Sequence, residues 1–570
     1  MKGYKLGRKA VSEIMFILLT IGMLSLTFNI QPAKAEWTRT VYIRADGSID
    51  PPDAPITTLD NVTYTLTDNI TSSADGIVVE RDNIVVDGAG RMLEGIGIGT
   101  GIDLSNRNNV TVKNMEIKGF QNGIHLEFSS HVTLRNNTMT ENTYNLVVYG
   151  WDLSYLIHDI DSSNTVDGKK IYYWIHKRDV AVPLDAGYVA LVNCTNITAR
   201  DLNLTNNGQG LLLVYTTNST ITKNKIATHG EGIRLHWSSN NSIVGNEITN
   251  SWCGIELWDS SNNNSIVGNN IVNGTNGVSL LDHSNYNSII ENSIANNEVG
   301  IGLCYCSNYN SVVRNKITNN AHTAIWLEGS CNNTISGNKI TNNERGIVLA
   351  FYSSNNIVYH NNFIDNEMQA SLYKSYNNVW DDGYPSGGNY WSDYTGVDYY
   401  SGPYRNETGS DGIGDSLYIV DENNIDHYPL MGPFNSFNTS VGYSVDVISN
   451  STIEDFRYFE SNSTIIMHVS NMTANQVFGF CRLTIPHEVM SPPYTVKVNG
   501  TEVEYKTIYE NYTEEISIIY FTYEHSKLEI VVIQEFPFNT MLSTFLMLLA
   551  ISLIFTKKLP YKKTNKIPHL

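Results

Sequence analysis

The sequence contains little cysteine and little positive charge for its length. Six cysteines in 570 residues are too few and too unevenly spaced to build a disulfide scaffold. Lys and Arg number 37 against 57 Asp and Glu, which gives a net charge of −20. A chain this acidic argues against nucleic acids and bare polyanions as partners, because both would be repelled. Neutral glycans and divalent cations remain compatible with it.

Two apolar runs lie at the ends of the chain. Residues 14–30 follow four basic residues and precede an A-K-A motif ending at Ala35, the pattern of a secretory signal cleaved there; an uncleaved membrane helix is the alternative. Residues 536–555 suffice to span about 30 Å of hydrocarbon at about 1.5 Å per residue. Lysines follow them, so we predict a single-pass protein with a cytoplasmic C-terminus and residues 36–535 on the extracellular face. Replacement of this tail by a lipid anchor is the alternative.

Internal repetition dominates the middle of the chain. GIRLHWSSNNSIVGNEITNSWC begins at Gly232, and GIELWDSSNNNSIVGNNIVNGTN begins at Gly254. Each unit holds three short alternating stretches separated by Asn, Ser and Gly, and neither a helical pattern nor a leucine-rich consensus is present. We therefore predict an all-β fold, a right-handed parallel β-helix of about 12 coils, with strands stacked about 4.8 Å apart. Asn at the turns tolerates left-handed backbone and can form hydrogen-bonded ladders along the stack.

The repeat ends before residue 437, where alternating strands such as YTVKVNG and KLEIVVI predict a small β-sandwich. Many N-x-S/T sequons make the chain a candidate glycoprotein if it is secreted. The predicted organisation is a signal peptide (1–35), an N-terminal cap (36–75), the β-helix (76–376) with a protruding excursion at 150–186, an aromatic and acidic C-terminal cap (377–436), the β-sandwich (437–535), a transmembrane helix (536–556) and a basic cytoplasmic tail (557–570).

Three stretches carry a resemblance to a known family. They are YIRADGSIDPPDAPI (42–56), NNVWDDGYPSGGNYWSDYTG (377–396) and DGIGDSLYIVDENNIDHYPLM (411–431). The chain resembles the NosD-type, carbohydrate-binding and sugar-hydrolase (CASH) class of right-handed β-helix proteins, and specifically archaeal cell-surface members. The resemblance implies the fold. The resemblance implies the function much less strongly than the fold, because such folds host lyases, hydrolases, adhesins and metal-handling accessory proteins.

Alternation within the first strand of each coil predicts which side chains point outward. Register between neighbouring coils should bring outward residues within about 5–7 Å of one another. An acid, a base and an aromatic platform on one strand face are what a glycan site needs. The predicted carbohydrate-binding residues are Arg234, His236, Glu256, Trp258, Trp326 and Glu328, and the candidates for acid–base catalysis are Glu256, Asp259, Asp282 and His236. A solvated face with an Arg234–Glu256 ion pair is the alternative.

Calcium is the possible cofactor. Asp411 and Asp415 lie four residues apart on the glycine-turned DGIGD loop, with Asp393 and Asp398 nearby in sequence. Ca²⁺ takes six to eight oxygen ligands and tolerates flexible loops. The alternative is a tight turn within a cap whose aromatic residues cover the final coil.

Copper is what the name of the resembled family suggests, and soft thiolate or imidazole ligands would be needed to bind it. The tight candidate is Cys304 with Cys306, with His283 one coil away. A bridge between Cys306 and Cys331 is one alternative, and a pair of small residues at a strand end is another.

The expected function is that of a membrane-anchored surface protein that binds carbohydrate or serves as a structural or adhesive element. Its expected partners are glycans or cell-surface polymers and the membrane, without nucleic acid. A polysaccharide hydrolase or lyase of the same fold is the first alternative. It is weakened because neither the calcium cluster of a pectate lyase nor the Asp trio of a polygalacturonase occurs at the corresponding positions. A copper-handling accessory protein is the second alternative.

Overall fold

The computed structural model describes residues 37–227, 230–524, 527–535 and 546–552. It confirms the all-β parallel β-helix, with about 13 coils, followed by a β-sandwich. The predicted signal peptide lies outside the described residues. Of the predicted transmembrane segment only 546–552 is described, and it is helical. Within the described chain, no helix is both long and apolar enough to cross a membrane.

The first solenoid comprises the coils whose strands lie between residues 41 and 166. Its inward Val, Ile and Leu side chains form one continuous core. One sheet contains Val41–Ile43, Ile49–Asp50, Ile77–Val79, Thr100–Asp103, Asn122–Glu127 and Tyr144–Tyr149. The remaining strands are Ile56–Thr58, Thr63–Leu66, Ile70–Thr71, Val85–Glu94, Thr111–Lys118, Thr133–Arg135, Thr138–Thr140, Asp159–Ile160 and Thr165–Val166, and a 3₁₀ helix spans Leu153–Leu156.

The second solenoid comprises the coils whose strands lie between residues 169 and 391, and it has three parallel sheets. The main sheet contains Lys169–Ile175, Ala186–Val192, Gln209–Val214, Glu231–His236, Cys253–Trp258, Asn276–Leu280, Val299–Cys304, Thr323–Glu328, Arg345–Ala350 and Met368–Tyr373. The next sheet contains Arg178–Ala181, Thr195–Arg200, Thr220–Thr222, Ser242–Val244, Ser265–Val267, Ser288–Ile290, Ser311–Val313, Thr334–Ser336 and Ile357–Tyr359. The third contains Asn203–Thr205, Lys225–Ala227, Glu247–Thr249, Asn270–Val272, Ser293–Ala295, Lys316–Thr318, Lys339–Thr341, Asn362–Ile364 and Tyr390–Trp391.

Glycine near the start of seven of the ten main-sheet strands permits close stacking of the coils. A Cβ added at Gly232 would lie 2.5 Å from the carbonyl oxygen of Gly254 in the next coil, closer than van der Waals contact allows.

Buried asparagines form ladders along the second solenoid. The Nδ2 of Asn292 donates to Oδ1 of Asn315 at 2.9 Å, and the Nδ2 of Asn315 donates to Oδ1 of Asn338 at 3.0 Å. Each Oδ1 also accepts from the backbone N–H of the preceding asparagine in the ladder, as Asn315 does from Asn292 at 2.9 Å. The turns of a three-sided coil lie outside its sheets, so their backbone N–H groups lack strand partners. The asparagine side chains of the ladder supply the missing acceptors.

The two solenoids lie on opposite faces of the first strands of the main sheet. Thr165–Val166 pairs antiparallel with the start of Lys169–Ile175, which then pairs parallel with Ala186–Val192. Ala190 and Leu212 consequently belong to the core of the first solenoid, whereas Leu191 and Leu211 belong to the core of the second.

Residues 150–186, which we expected to protrude, thus contribute strands to both solenoids. The reason is that Thr165–Val166 and Lys169–Ile175 extend existing sheets on either side of the reversal.

An aromatic stack closes the last coil. The rings of Phe363 and Trp391 lie 4.4 Å apart, and those of Trp391 and Tyr418 lie 4.2 Å apart, both nearly parallel. Trp391 Nε1 donates to Asp426 Oδ2 at 2.9 Å. Two short hairpins complete this region, Tyr400–Ser401 with Glu407–Thr408 and Tyr418–Asp421 with Asn424–Asp426.

The C-terminal sandwich packs two antiparallel sheets around one core. Its fully buried Arg482 contacts the preceding region, donating from Nη1 to the backbone oxygen of Asp411 at 2.7 Å. One sheet contains Phe434–Asn438, Ser444–Ser449, Phe478–Pro486, Lys506–Asn511 and Ile516–Glu524, and the other contains Ser451–Phe459, Thr464–Asn471, Tyr494–Val498, Thr501–Val503 and Leu528–Gln534, with a 3₁₀ turn at Glu460–Asn462.

Candidate functional site

A pocket of about 340 Å³ opens where the two solenoids meet, and we call it the junction pocket. Its volume falls near the lower end of the range of about 300–1,000 Å³ typical of small-molecule sites. The first solenoid contributes residues from the ends of two strands and the turns after them, and the second contributes residues from the main sheet. The lining comprises Glu127, Phe128, Tyr149, Gly150, Trp151, Glu231, Arg234, Trp252, Glu256, Trp258 and Leu281.

Arg234 lies at the centre of the pocket floor. Its Nε is 3.3 Å from Glu256 Oε2, and its Nη1 is 3.7 Å from Glu231 Oε1. The guanidinium carbon is also 4.9 Å from the ring centre of Tyr149 and 4.7 Å from that of Trp258. Parallel register produces this arrangement, because Arg234 pairs with Glu256 on the neighbouring strand. The cation is thus shared between two carboxylates and two aromatic faces.

Glu231 connects the two solenoids. The Tyr149 hydroxyl donates to its Oε1 and Oε2 at 2.6 and 2.7 Å, and Gln209 Nε2 donates to Oε2 at 3.1 Å. Burial, followed by the nearby charge of Glu231, raises the pKa of Tyr149, so the phenol keeps its proton.

Glu256 has a different environment. Only 4% of its surface is exposed, and burial raises its pKa to about 7 although Arg234 acts in the opposite direction. Within the described residues, its Oε2 has no hydrogen-bond partner, since Arg234 Nε lies within ion-pair distance but is not aligned for a hydrogen bond. Glu256 can therefore gain or lose a proton near neutral pH, whereas Glu231 accepts hydrogen bonds from Tyr149 and Gln209.

His236 and the two predicted aspartates lie behind Trp258. His236 Nε2 is 2.6 Å from Asp259 Oδ2, and its ring stacks on that of Trp237 at 3.5 Å. Burial lowers the pKa of His236 to about 4, so the neutral ring donates to Asp259. Asp282 accepts from Trp258 Nε1 at 2.5 Å. These three residues position aromatic rings, and none of them lines the pocket.

Trp326 and Glu328 lie outside the junction pocket. Two strands of the main sheet separate them from the strand that carries Glu256 and Trp258, so three strand spacings of about 4.8 Å place them about 14 Å away. Trp326 Nε1 donates to Glu328 Oε2 at 3.4 Å. The structure thus brings Arg234, Glu256 and Trp258 together and separates the last two predicted glycan residues from them.

The outward face near Arg234 is not the solvated face that alternation suggested. Arg234, His236 and Glu256 are 4%, 1% and 4% exposed, because the first solenoid covers this part of the main sheet. Sequence reasoning also missed Tyr149 and Glu231, which bond to each other across 82 residues. The aromatic residues near position 150 were the available signal, but their place against the second solenoid depends on the chain reversal.

A larger depression of about 630 Å³ lies on the first solenoid. Its carboxylate Asp87 accepts from Asn114 Nδ2 at 3.0 Å and pairs with Lys113 Nζ at 3.1 Å. The lining, all of it within the described chain, contains no aromatic side chain. This depression therefore lacks the aromatic surface for stacking that the junction pocket offers.

Three of the predicted calcium ligands already accept hydrogen bonds within the cap. Asp398 accepts from the backbone N–H of Asp411 at 3.1 Å, Asp415 accepts from that of Tyr399 at 2.6 Å, and Asp393 accepts from the Tyr418 hydroxyl at 3.2 Å. Each carboxylate thus serves a separate hydrogen bond. Among the residues that the structure describes, no group of three or more His, Cys, Asp and Glu could hold a metal ion. The calcium site therefore stays a prediction.

Copper does not fit the described donor set either. Cys304, Cys306 and Cys331 are free thiols, so the alternative of a Cys306–Cys331 bridge is not observed. His283 and the two neighbouring cysteines do not form a metal-holding cluster within the described ranges.

The fold and the junction pocket define a class: a parallel β-helix repeat protein with a pocket between two solenoids. The chain belongs to the family described as periplasmic copper-binding protein (NosD), whose model matches residues 72–285, 159–320 and 273–396. No protein of curated function matches the chain.

Several solved structures show low similarity. The periplasmic alginate epimerase AlgG is 13% identical over 57% of this chain and 80% of its own, with a TM-score of 0.30. The A-module of Azotobacter vinelandii mannuronan C-5 epimerase AlgE4 is 14% identical over 55% and 87%, with a TM-score of 0.31. The Dettilon tailspike protein is 12% identical over 87% and 85%, with a TM-score of 0.26. Scores this low carry no argument about function.

Proposed function

We propose that this protein binds a saccharide in the junction pocket. The observation that supports this is the combination of aromatic side chains with a buried polar floor. Phe128 and Trp151 come from one solenoid, and Trp252 and Trp258 come from the other. Aromatic faces pack against the apolar face of a pyranose ring, while charged floor groups bond its hydroxyls.

Two tryptophans at the pocket support a ligand role over a purely structural one. Trp151 is 65% exposed and Trp252 is 52% exposed, so neither gains much from burial in the free protein. The rings of Phe128 and Trp151 lie 4.6 Å apart at 60°, which leaves faces turned towards the pocket rather than stacked flat on each other. A ligand that covers these faces would bury apolar area that folding leaves in water.

We further propose an extracytoplasmic location with a single membrane anchor. The basic and apolar pattern of residues 1–35, the apolar run of 536–556 and the lysines that follow support it. The acidic charge of the chain agrees with neutral glycans or cell-surface polymers as partners, and the sequons agree with glycosylation.

Replacing either exposed tryptophan should weaken saccharide binding without unfolding the protein. We expect Trp151→Ala and Trp252→Ala each to raise the Kd of a bound oligosaccharide about ten-fold, or about 1.4 kcal/mol, because stacking area is lost. An oligosaccharide panel screened against the full chain identifies a ligand, and calorimetry measures the Kd. Tyr404→Ala is the matched control, since Tyr404 is exposed and outside the pocket. Equal binding by all three variants, or no binding by the unchanged protein, would refute the proposal.

Cleavage of the bound glycan is the second candidate function. The contrast between Glu231, which accepts from two donor groups, Tyr149 and Gln209, and Glu256, with its raised pKa, favours it, because two carboxylates in different environments can serve acid–base chemistry. New reducing ends or unsaturated products from a bound polysaccharide would reveal cleavage. Glu256→Gln should abolish them, and Glu247→Gln, at an exposed position of the same solenoid, should not. Activity retained in Glu256→Gln would remove Glu256 from the reaction.

A further inference from the structure

We propose that the junction pocket selects a saccharide that carries a protonated amine, an amino sugar, over neutral and carboxylated saccharides. This inference rests on the proposed function and names its substrate class. It is carried by three independent features of the pocket: its charge, an unpartnered carboxylate oxygen and an aromatic wall.

Negative charge outnumbers positive charge in the pocket lining. Glu127, Glu231 and Glu256 face a single cation, Arg234. Arg234 is already paired with Glu231 and Glu256 and lies against the rings of Tyr149 and Trp258, so its positive charge is already shared between two carboxylates. A uronic acid would therefore approach two or three carboxylates without a cation to receive it. The same charges attract an ammonium group.

Glu256 provides the second feature. Its side chain lines the pocket and is almost completely buried, and within the described residues its Oε2 accepts no hydrogen bond. A buried acceptor without a donor is costly, and the cost is greatest when the group is charged. A ligand ammonium offers both the missing donors and the compensating charge. A neutral hydroxyl supplies only the donor.

The aromatic wall provides the third feature. Phe128, Trp151 and Trp252 line the pocket, whereas the ring of Trp258 already holds the Arg234 guanidinium. Aromatic faces attract cations as well as pyranose rings. A sugar ring stacked on a tryptophan with its amine directed to Glu256 uses both interactions at once.

Binding of an amine should displace the proton of Glu256. The groups that face Glu256 are Arg234 and Glu231 on the adjacent strand, Cys253 on its own strand and Tyr149 from the first solenoid. Because the Glu256 pKa of about 7 reflects burial, the carboxyl is mostly protonated at pH 6 in the free protein. An arriving ammonium stabilises the carboxylate and lowers that pKa, so a proton leaves for solvent.

The test uses matched tetrasaccharides with the full chain at pH 6. Glucosamine and N-acetylglucosamine tetramers differ only at the 2-substituent, which is a charged amine in the first and a neutral acetamide in the second, and a galacturonic acid tetramer supplies the opposite charge. Calorimetry in buffers of different ionisation enthalpy measures affinity and proton release together. We expect the glucosamine tetramer to bind at least ten-fold more tightly than the other two, with release of about one proton per ligand.

Glu256→Gln should abolish both the preference and the proton release, while Glu247→Gln controls for general loss of negative charge. Glu247 is exposed and belongs to a different sheet of the same solenoid. Equal or tighter binding of the acetylated or acidic tetramer would overturn the amine preference and leave saccharide binding intact. If tetramethylammonium binds as tightly as the glucosamine tetramer, the pocket recognises only the cation, and the claim that its ligand is a saccharide would be overturned. If no tetramer binds and the wider oligosaccharide panel also fails, the proposed function falls as well.

Discussion

Arg234→Met should lower the free energy of unfolding by about 3–5 kcal/mol at pH 8, the cost of leaving a buried charge without its partner. Among the described residues, Oε2 of Glu256 accepts no hydrogen bond even before the substitution. The substitution also removes the cation that is paired with Glu256 and Glu231. The pKa of Glu256, already raised to about 7 by burial, should rise further. An acid with a raised pKa in the folded state costs stability as pH rises through that pKa. The loss should therefore be smaller at pH 5.5 than at pH 8, as urea denaturation at the two pH values would measure.

Arg314→Met is the matched control for that variant. Arg314 Nε lies 3.0 Å from Glu291 Oε1, but both side chains are largely exposed, so its loss should cost less than about 1 kcal/mol. Adding Glu256→Gln to Arg234→Met should recover part of the lost stability, because the buried charge disappears. If Arg234→Met is as stable as Arg314→Met, the pocket floor is more hydrated than the structure indicates.

Asn315→Ala should destabilise the second solenoid by about 3 kcal/mol, from at least two buried groups at about 1–3 kcal/mol each. The Oδ1 of Asn315 accepts from the backbone N–H of Asn292, and its Nδ2 donates to the backbone oxygen of Ile289 at 2.8 Å. Alanine leaves both backbone groups unpaired inside the coil.

The same substitution also interrupts the ladder between Asn292 and Asn338. Hydrogen exchange of the turn amides in the neighbouring coils should therefore increase. Lys316→Ala is the control in the same coil, since Lys316 is exposed and its loss should be small. A melting temperature of Asn315→Ala equal to that of Lys316→Ala would show that water replaces the ladder.

The parts of the pocket that could be predicted follow from register within the repeat. Arg234, Glu256 and Trp258 occupy equivalent positions in successive coils, so stacking the coils places them together. Their burial could not be predicted in the same way, because Tyr149 and Trp151 come from the other solenoid. Asp167-Gly168 is a local hairpin signal for the reversal between strands 165–166 and 169–175, but a hairpin by itself does not show that its second strand begins another solenoid.

The carboxylates of the DGIGD region show a similar limit. Asp411 and Asp415 have the spacing of a calcium loop, but spacing does not reveal which donors lie nearby. The Asp415 carboxylate accepts a hydrogen bond from the N–H of Tyr399. The backbone N–H of Asp411 donates to Asp398, and its backbone oxygen accepts from Arg482. Backbone donors compete for carboxylate oxygens, and their positions depend on how the sandwich docks.

The sequence by itself determined the coil: its length, its three strands, the inward apolar columns and the asparagine ladders. These features repeat every 22 or 23 residues and depend on contacts between equivalent positions in adjacent coils. Only the tertiary structure decided that there are two solenoids and that a pocket lies between them. The pocket depends on a single reversal and on contacts such as Tyr149–Glu231, which occur once in the chain and therefore leave no periodic signal.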